Sequence, residues 1–141
     1  IPDTNPAPQA LAVGARGLVG ATEMLNAKRV EKPWGWELWW AHTERYVGKL
    51  LFIRAGHQLS LQYHEVKDEV IYVQEGEMDF LVDEQDGQGL RTLRMGPGAG
   101  FHIRPGTVHR MIAVTDVLVL EASSPEVDDV VRLEDAYGRA T

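Results

Sequence analysis

No cysteine occurs among the 141 residues. Disulfides and thiolate-bound zinc are therefore excluded, and the chain suits a reducing cytoplasm, the expected location. No apolar run approaches the roughly 20 residues that a membrane-spanning helix needs. No amino-terminal stretch joins a basic start to a long apolar centre, so no signal peptide is expected. Positive charge is scarce too. Lys and Arg number 14 against 21 Asp and Glu, a formal net charge of −7, and no basic block breaks the pattern. Nucleic-acid partners held through phosphate contacts are not expected. What is present is a 44 % apolar chain, long enough for one domain with a core of its own.

Residues 1–27 read as a flexible amino-terminal arm. Pro2, Pro6 and Pro8 precede a small-residue stretch from Ala10 to Ala21 that includes Gly14, Gly17 and Gly20. Residues 28–141 read as one domain with a carboxy-terminal tail. Short β-like runs follow one another at roughly 35–41, 45–54, 58–64, 69–75, 77–83, 89–95, 100–103, 108–115 and 117–123. Turn residues separate them, among them Ala55-Gly56, Glu75-Gly76, Gly96-Pro-Gly98 and Pro105-Gly106. No segment before residue 124 has helical periodicity. Many short strands with frequent Gly and Pro turns predict an all-β sandwich or barrel. The acidic tail, Glu126 to Arg139, is expected to start extended and end in a short helix.

One constellation carries chemistry. Gln62 and His64 are two apart on a predicted strand, so both leave the same face, together with Ser60. Leu59, Leu61 and Tyr63 occupy the other face. Glu69 follows a four-residue turn and opens the next strand. Far along the chain, Pro105-Gly-Thr-Val-His109 is a tight turn that delivers a second imidazole. An amide oxygen, two imidazoles and a carboxylate suit a divalent metal ion.

These residues resemble the cupin motifs. The first cupin motif runs Gly, five residues, His-x-His, three or four residues, Glu, six residues, Gly. Gly56, His64, Glu69 and Gly76 match it, with Gln62 in place of the first His. In the second motif Gly98, Gly106 and His109 match, while Arg104 and Ala113 replace its Pro and Asn. The resemblance implies a jelly-roll barrel with Gln62, His64, Glu69 and His109 as ligands of one divalent metal, zinc first, with manganese, iron or nickel as alternatives.

A narrower resemblance is to the mannose-6-phosphate isomerase group of cupins. It rests on Lys32-Pro-Trp-Gly-Trp-Glu37, Leu59-Ser-Leu-Gln-Tyr-His64, Pro105-Gly-Thr-Val-His-Arg110, and the tail Asp128-Asp-Val-Val-Arg-Leu-Glu-Asp-Ala-Tyr-Gly-Arg139. There Gln is an expected ligand. The chain departs from the group at Lys67, where Arg is usual, and at Val70-Ile71, where His-Trp is usual. The resemblance implies metal-dependent aldose–ketose isomerisation of a sugar phosphate. Such chemistry needs a base and an anchor for the phosphate. Candidates for the base are His57, His102, Glu37 and a metal-bound hydroxide; for the anchor, Lys67, Arg104 and Arg110. Alternative functions are a cupin dioxygenase or a cyclase of small-molecule metabolism, or a sugar-binding or sensor domain without catalysis. The four tryptophans Trp34, Trp36, Trp39 and Trp40 read as core or subunit interface. A homodimer is expected, through the arm or the Trp-rich strand 34–40. The tail carboxylates Asp128, Asp129, Glu134 and Asp135 read as a clasp for Arg132 and Arg139.

Overall fold

The computed structural model describes residues 24–141. Most of the predicted arm, residues 1–23, lies outside the described residues. Eleven strands follow in chain order: β1 (Lys28–Lys32), β2 (Gly35–His42), β3 (Val47–Ile53), β4 (Leu61–Tyr63), β5 (Glu69–Glu75), β6 (Met78–Asp83), β7 (Leu90–Met95), β8 (Gly100–Ile103), β9 (Val108–Ala113), β10 (Val117–Ser123) and β11 (Val131–Glu134). They form two antiparallel sheets. One has the order β1-β2-β3-β10-β5-β8, the other β11-β4-β9-β6-β7. The chain folds as an all-β jelly-roll barrel.

Period-two alternation explains the sandwich. In β5, Glu69, Ile71 and Val73 are buried while Val70 and Tyr72 are exposed. In β6, Met78, Phe80 and Val82 are fully buried. In β10, Val117, Val119, Glu121 and Ser123 share the inner face. Ile53, Ile71, Val73, Phe80, Ile103, Met111 and Val119 close the core between the sheets. Each such side chain contributes roughly 1.5–3 kcal/mol by leaving water. One glycine is fixed by a close approach. Gly76 turns the corner from β5 in one sheet to β6 in the other with φ 82°, and a Cβ there would lie 2.0 Å from the Asp116 carbonyl oxygen.

The sequence reading differs from this fold at its two ends. β1 was not expected as a strand, and the extended part of the tail forms β11; the two are outer strands of the two sheets. The tail holds no helix. Its last turn is closed by Asp135, whose carboxylate accepts hydrogen bonds from the Arg139 backbone N–H at 2.6 Å and from its Nε at 2.9 Å. That local alternative satisfies the groups that a helical turn would have used.

Candidate metal centre

Three strands and a tail carbonyl assemble the site. His64 immediately follows β4, Glu69 opens β5, and His109 faces inward on β9. Gln62 on β4 is the cross-strand neighbour of His109. The turn before β9 reaches back to β4: the Gly106 N–H donates to the His64 carbonyl at 2.6 Å, with Gly106 at φ 82°. Asp129 supports the site from the tail. Its carboxylate accepts from the backbone N–H groups of Glu65, Val66 and Lys67 at 3.0, 2.7 and 2.9 Å. Burial opposes ionisation of Asp129, but those three N–H donors outweigh it and hold its pKa below the ordinary carboxylate value.

The donor atoms converge. One ligand atom each from His64, Glu69 and His109 lies within 4.8 Å of the others. His64 Nε2 is 3.4 Å from Glu69 Oε2, and His109 Nε2 is 3.8 Å from Glu69 Oε1. All three side chains are buried. His64 Nδ1 hydrogen-bonds the Asp129 carbonyl at 2.5 Å, and His109 Nδ1 the Thr107 carbonyl at 2.8 Å. A carbonyl only accepts, so each Nδ1 carries the proton and each Nε2 turns its lone pair inward. His64 Nε2 and His109 Nε2 have no hydrogen-bond partner despite their burial. Such unsatisfied buried atoms call for an explanation, and a metal ion fits the donor set. Burial, outweighing the attraction of Glu69, lowers both imidazole pKa values, so the rings are neutral and ready to ligate. Gln62 lines the same cavity, with its Oε1 accepting from the Ser60 hydroxyl at 2.6 Å.

A second layer of charge surrounds this centre, and sequence reasoning missed most of it. The Lys67 ammonium lies 2.8 Å from Glu69 Oε2 and 3.3 Å from Glu121 Oε2. Glu69 Oε2 therefore has a cation partner, and the two imidazole Nε2 atoms are the donors left without one. One cation thus serves two buried carboxylates. Burial works against the Lys67 charge, but Glu121 and Glu69 outweigh it and raise its pKa. Burial would also raise the pKa of Glu69, but Lys67, His109 and His64 hold it down. Glu121 therefore carries the proton of the group. Burial, followed by the neighbouring Glu69, pushes it up to about 7. Lys49 stands directly across from Glu121 on β3 and pairs with Glu37 of β2 at 3.4 Å, while Trp39 Nε1 donates to Glu37 at 2.8 Å. The missed signal was parity. Lys49 sits between Val47 and Leu51, and Glu121 between Val119 and Ser123, each on the face that its apolar neighbours bury.

These groups line a cavity of about 320 Å³, together with Lys32, Arg132, Arg139, Trp34 and Trp39. The structure leaves other candidates outside it. His57 lies over the Tyr137 ring at 6.5 Å. His102 is exposed and pairs with Asp68 at 2.7 Å. Arg104 is exposed. Arg110 straps the tail to the barrel, donating to the Leu59 carbonyl at 3.0 Å and the Glu134 carbonyl at 3.1 Å. Of the proposed bases only Glu37 faces the cavity, and of the proposed anchors only Lys67 does. Val70 points outward, since it alternates with Glu69, so this residue takes no polar group away from the cavity wall. Of the tryptophans, Trp34 is core, Trp36 stacks on Phe52 outside the barrel, and Trp40 is exposed over Gly48. The tail is partly the expected clasp: Asp135 holds Arg139, whereas Arg132 has no carboxylate partner among the described residues.

The cupin-domain family model matches residues 50–122, more than half of the chain, and the chain belongs to the cupin family. No curated protein matches it. Among solved structures it is similar to KdgF from Halomonas sp., with TM-score 0.61 and 24 % identity over 74 % of this chain and 91 % of that one. It is also similar to the capsular polysaccharide assembling protein CapF from Staphylococcus aureus, with TM-score 0.66 and 15 % identity over 79 % of this chain and 35 % of CapF. Oxalate decarboxylase from Bacillus subtilis matches with TM-score 0.67 and 14 % identity, over 77 % of this chain and 30 % of that one. The chain thus spans about a third of the latter two, and at these identities the likeness is one of fold. Among the described residues no helix is long and apolar enough to cross a membrane.

Proposed function

We propose that this cupin is a metal-dependent aldose–ketose isomerase of a sugar or sugar phosphate, with mannose 6-phosphate the first compound to try. One observation carries the reading: the unpartnered Nε2 atoms of His64 and His109 converge with the Glu69 carboxylate beside a cavity that is also lined by Glu121, a carboxyl whose pKa burial pushes up to about 7. His64, Glu69 and His109 would hold the ion, with the Gln62 amide oxygen as a fourth ligand. Two nitrogens and one or two oxygens suit zinc, manganese, iron or nickel, and Mn(II) centres are described for the structurally similar oxalate decarboxylase. A bound divalent ion supplies Lewis-acid polarisation of a carbonyl and its neighbouring hydroxyl.

The chain's own groups do the rest. Glu121 takes the proton from one carbon and returns it to the adjacent carbon, while the hydroxyl proton passes between the two oxygens. Its pKa near the working pH is what such shuttling needs. Lys67 keeps Glu69 ionised for ligation and fixes the Glu121 carboxylate at 3.3 Å. Trp34 and Trp39 wall the cavity and exclude water from the reacting carbons. The motif likeness to mannose-6-phosphate isomerases supports the choice of substrate. We assign residues 28–141 to the catalytic barrel, 1–27 to an arm outside it, a homodimer as the assembly and the cytoplasm as the location.

Solvent deuterium incorporation at the second carbon of mannose or glucose 6-phosphate, or at the first carbon of fructose 6-phosphate, followed by NMR, tests the function. Metal-loaded protein is expected to catalyse exchange. No exchange from protein that carries its metal overturns the isomerase reading and leaves a sugar-binding domain.

A further inference from the structure

Five cations line the cavity: Lys32, Lys49, Lys67, Arg132 and Arg139. Three are already committed. Lys49 pairs with Glu37, Lys67 with Glu69 and Glu121, and Arg139 with Asp135. Lys32 and Arg132 have no carboxylate within 4.0 Å among the described residues. Arg132 Nε is buried and lacks any hydrogen-bond partner. The cationic groups also crowd one another. Burial lowers the Lys32 pKa, Glu37 opposes it, and Lys49, Arg139 and Arg132 add to the drop. Glu37, Glu69, Glu121 and Asp128 line the same cavity, yet none comes within 4.0 Å of Lys32 or Arg132, so the orphaned guanidinium donor is left without an acceptor. An oxyanion would satisfy it.

We propose that Lys32 and Arg132, with Arg139 at their side, form the oxyanion subsite of this cavity, which takes the phosphate of a phosphorylated sugar or the carboxylate of a sugar acid. Register fixes its place. Arg132 on β11 is the cross-strand neighbour of Gln62 on β4, and Gln62 is the neighbour of His109 on β9. The anion is thus held roughly two strand spacings, about 10 Å, from the His109 strand, so a six-carbon ligand can reach from the subsite toward the metal centre. The functional rationale rests on the isomerase reading, but anion binding is measurable without it. The overall charge of −7 would otherwise repel such ligands, so the local cations also decide which small molecules enter.

Calorimetric titration of the full chain tests the subsite, with inorganic phosphate, a hexose 6-phosphate, a hexuronate and the neutral hexose as probes. Either the phosphorylated or the carboxylated sugar should bind at least about tenfold more tightly than the neutral hexose, and the tighter of the two identifies the anion class. Inorganic phosphate should compete. Lys32→Gln and Arg132→Gln should each reduce the preference toward that of the neutral hexose, while Arg132→Lys keeps part of it. Wild-type thermal midpoints in these variants show that the fold is retained, and Lys32→Gln and Arg132→Lys serve if Arg132→Gln does not fold. In His109→Ala the preference should persist, which separates the subsite from the metal centre. Equal binding of charged and neutral sugars, or unchanged preference in both Gln variants, overturns the proposal.

Discussion

Lys67 lies 2.8 Å from Glu69, and that pair is the point where the candidate metal centre meets the proton-carrying part of the cavity. The same ammonium reaches Glu121. Removing it leaves two buried carboxylates without a cation. Lys67→Met is expected to lower stability by about 3–5 kcal/mol, the usual cost of breaking a buried pair from one side. Denaturant unfolding in the absence of added metal checks it, and a loss below about 1 kcal/mol would speak against the shared pair.

Glu121 predicts a pH dependence for the proposed isomerisation. Its pKa is raised to about 7, so it is protonated below that value and able to accept a proton above it. Isomerisation or solvent exchange should therefore rise with pH through about 7. Glu121→Gln should cut exchange by roughly 10²–10⁴-fold while metal content stays at the wild-type level. A variant with undiminished exchange would remove Glu121 from the mechanism.

Asp129 predicts acid sensitivity. Its pKa is lowered on folding, so its contribution is complete above the unfolded value of about 3.9 and is lost as pH falls through the lower folded value. Asp129→Ala removes the acceptor of three backbone N–H groups that are largely open to water and should cost about 0.5–1.5 kcal/mol at pH 7. The gap between variant and wild type should shrink below about pH 4. Parallel stability curves down to pH 2 would contradict the assignment.

The outer face of the six-stranded sheet predicts assembly. Leu38, Leu50, Leu120 and Tyr72 stand side by side across β2, β3, β10 and β5, flanked by Trp36, Phe52 and Leu118 in the next row. A continuous apolar surface of this kind on a sheet favours a second copy. Light scattering should give a dimer at tens of micromolar, an order-of-magnitude choice near ordinary interface affinities, and Leu120→Glu should give a monomer. A monomeric wild type would contradict it.

Strand alternation and turn residues made the barrel legible, because burial of one face leaves a period-two trace in β3, β5, β6 and β10. β1 and β11 left little trace. They are outer strands: Lys28-Arg-Val-Glu-Lys32 is mostly polar, and Val131-Arg-Leu-Glu134 is too short for its alternation to stand out. The convergence of His64, Glu69 and His109 could be anticipated from spacing joined to motif likeness. The cation assignments could not. Arg110 sits next to a site histidine yet turns away on its strand, whereas Arg132 arrives from a tail strand about 70 residues beyond Gln62 in the sequence. Glu121 was legible in principle, as a carboxylate on a strand face otherwise filled by Val117 and Val119.

Elemental analysis of the purified protein, supplied with divalent metal and then desalted, bears most directly on the central claim that the converging ligand atoms of His64, Glu69 and His109 hold an ion. About one divalent ion per chain is the expected result, since the three converging ligand atoms make a single site. His109→Ala should lose at least about tenfold in metal affinity. Metal-free wild-type protein, or a His109→Ala variant that keeps its full complement, would contradict the account.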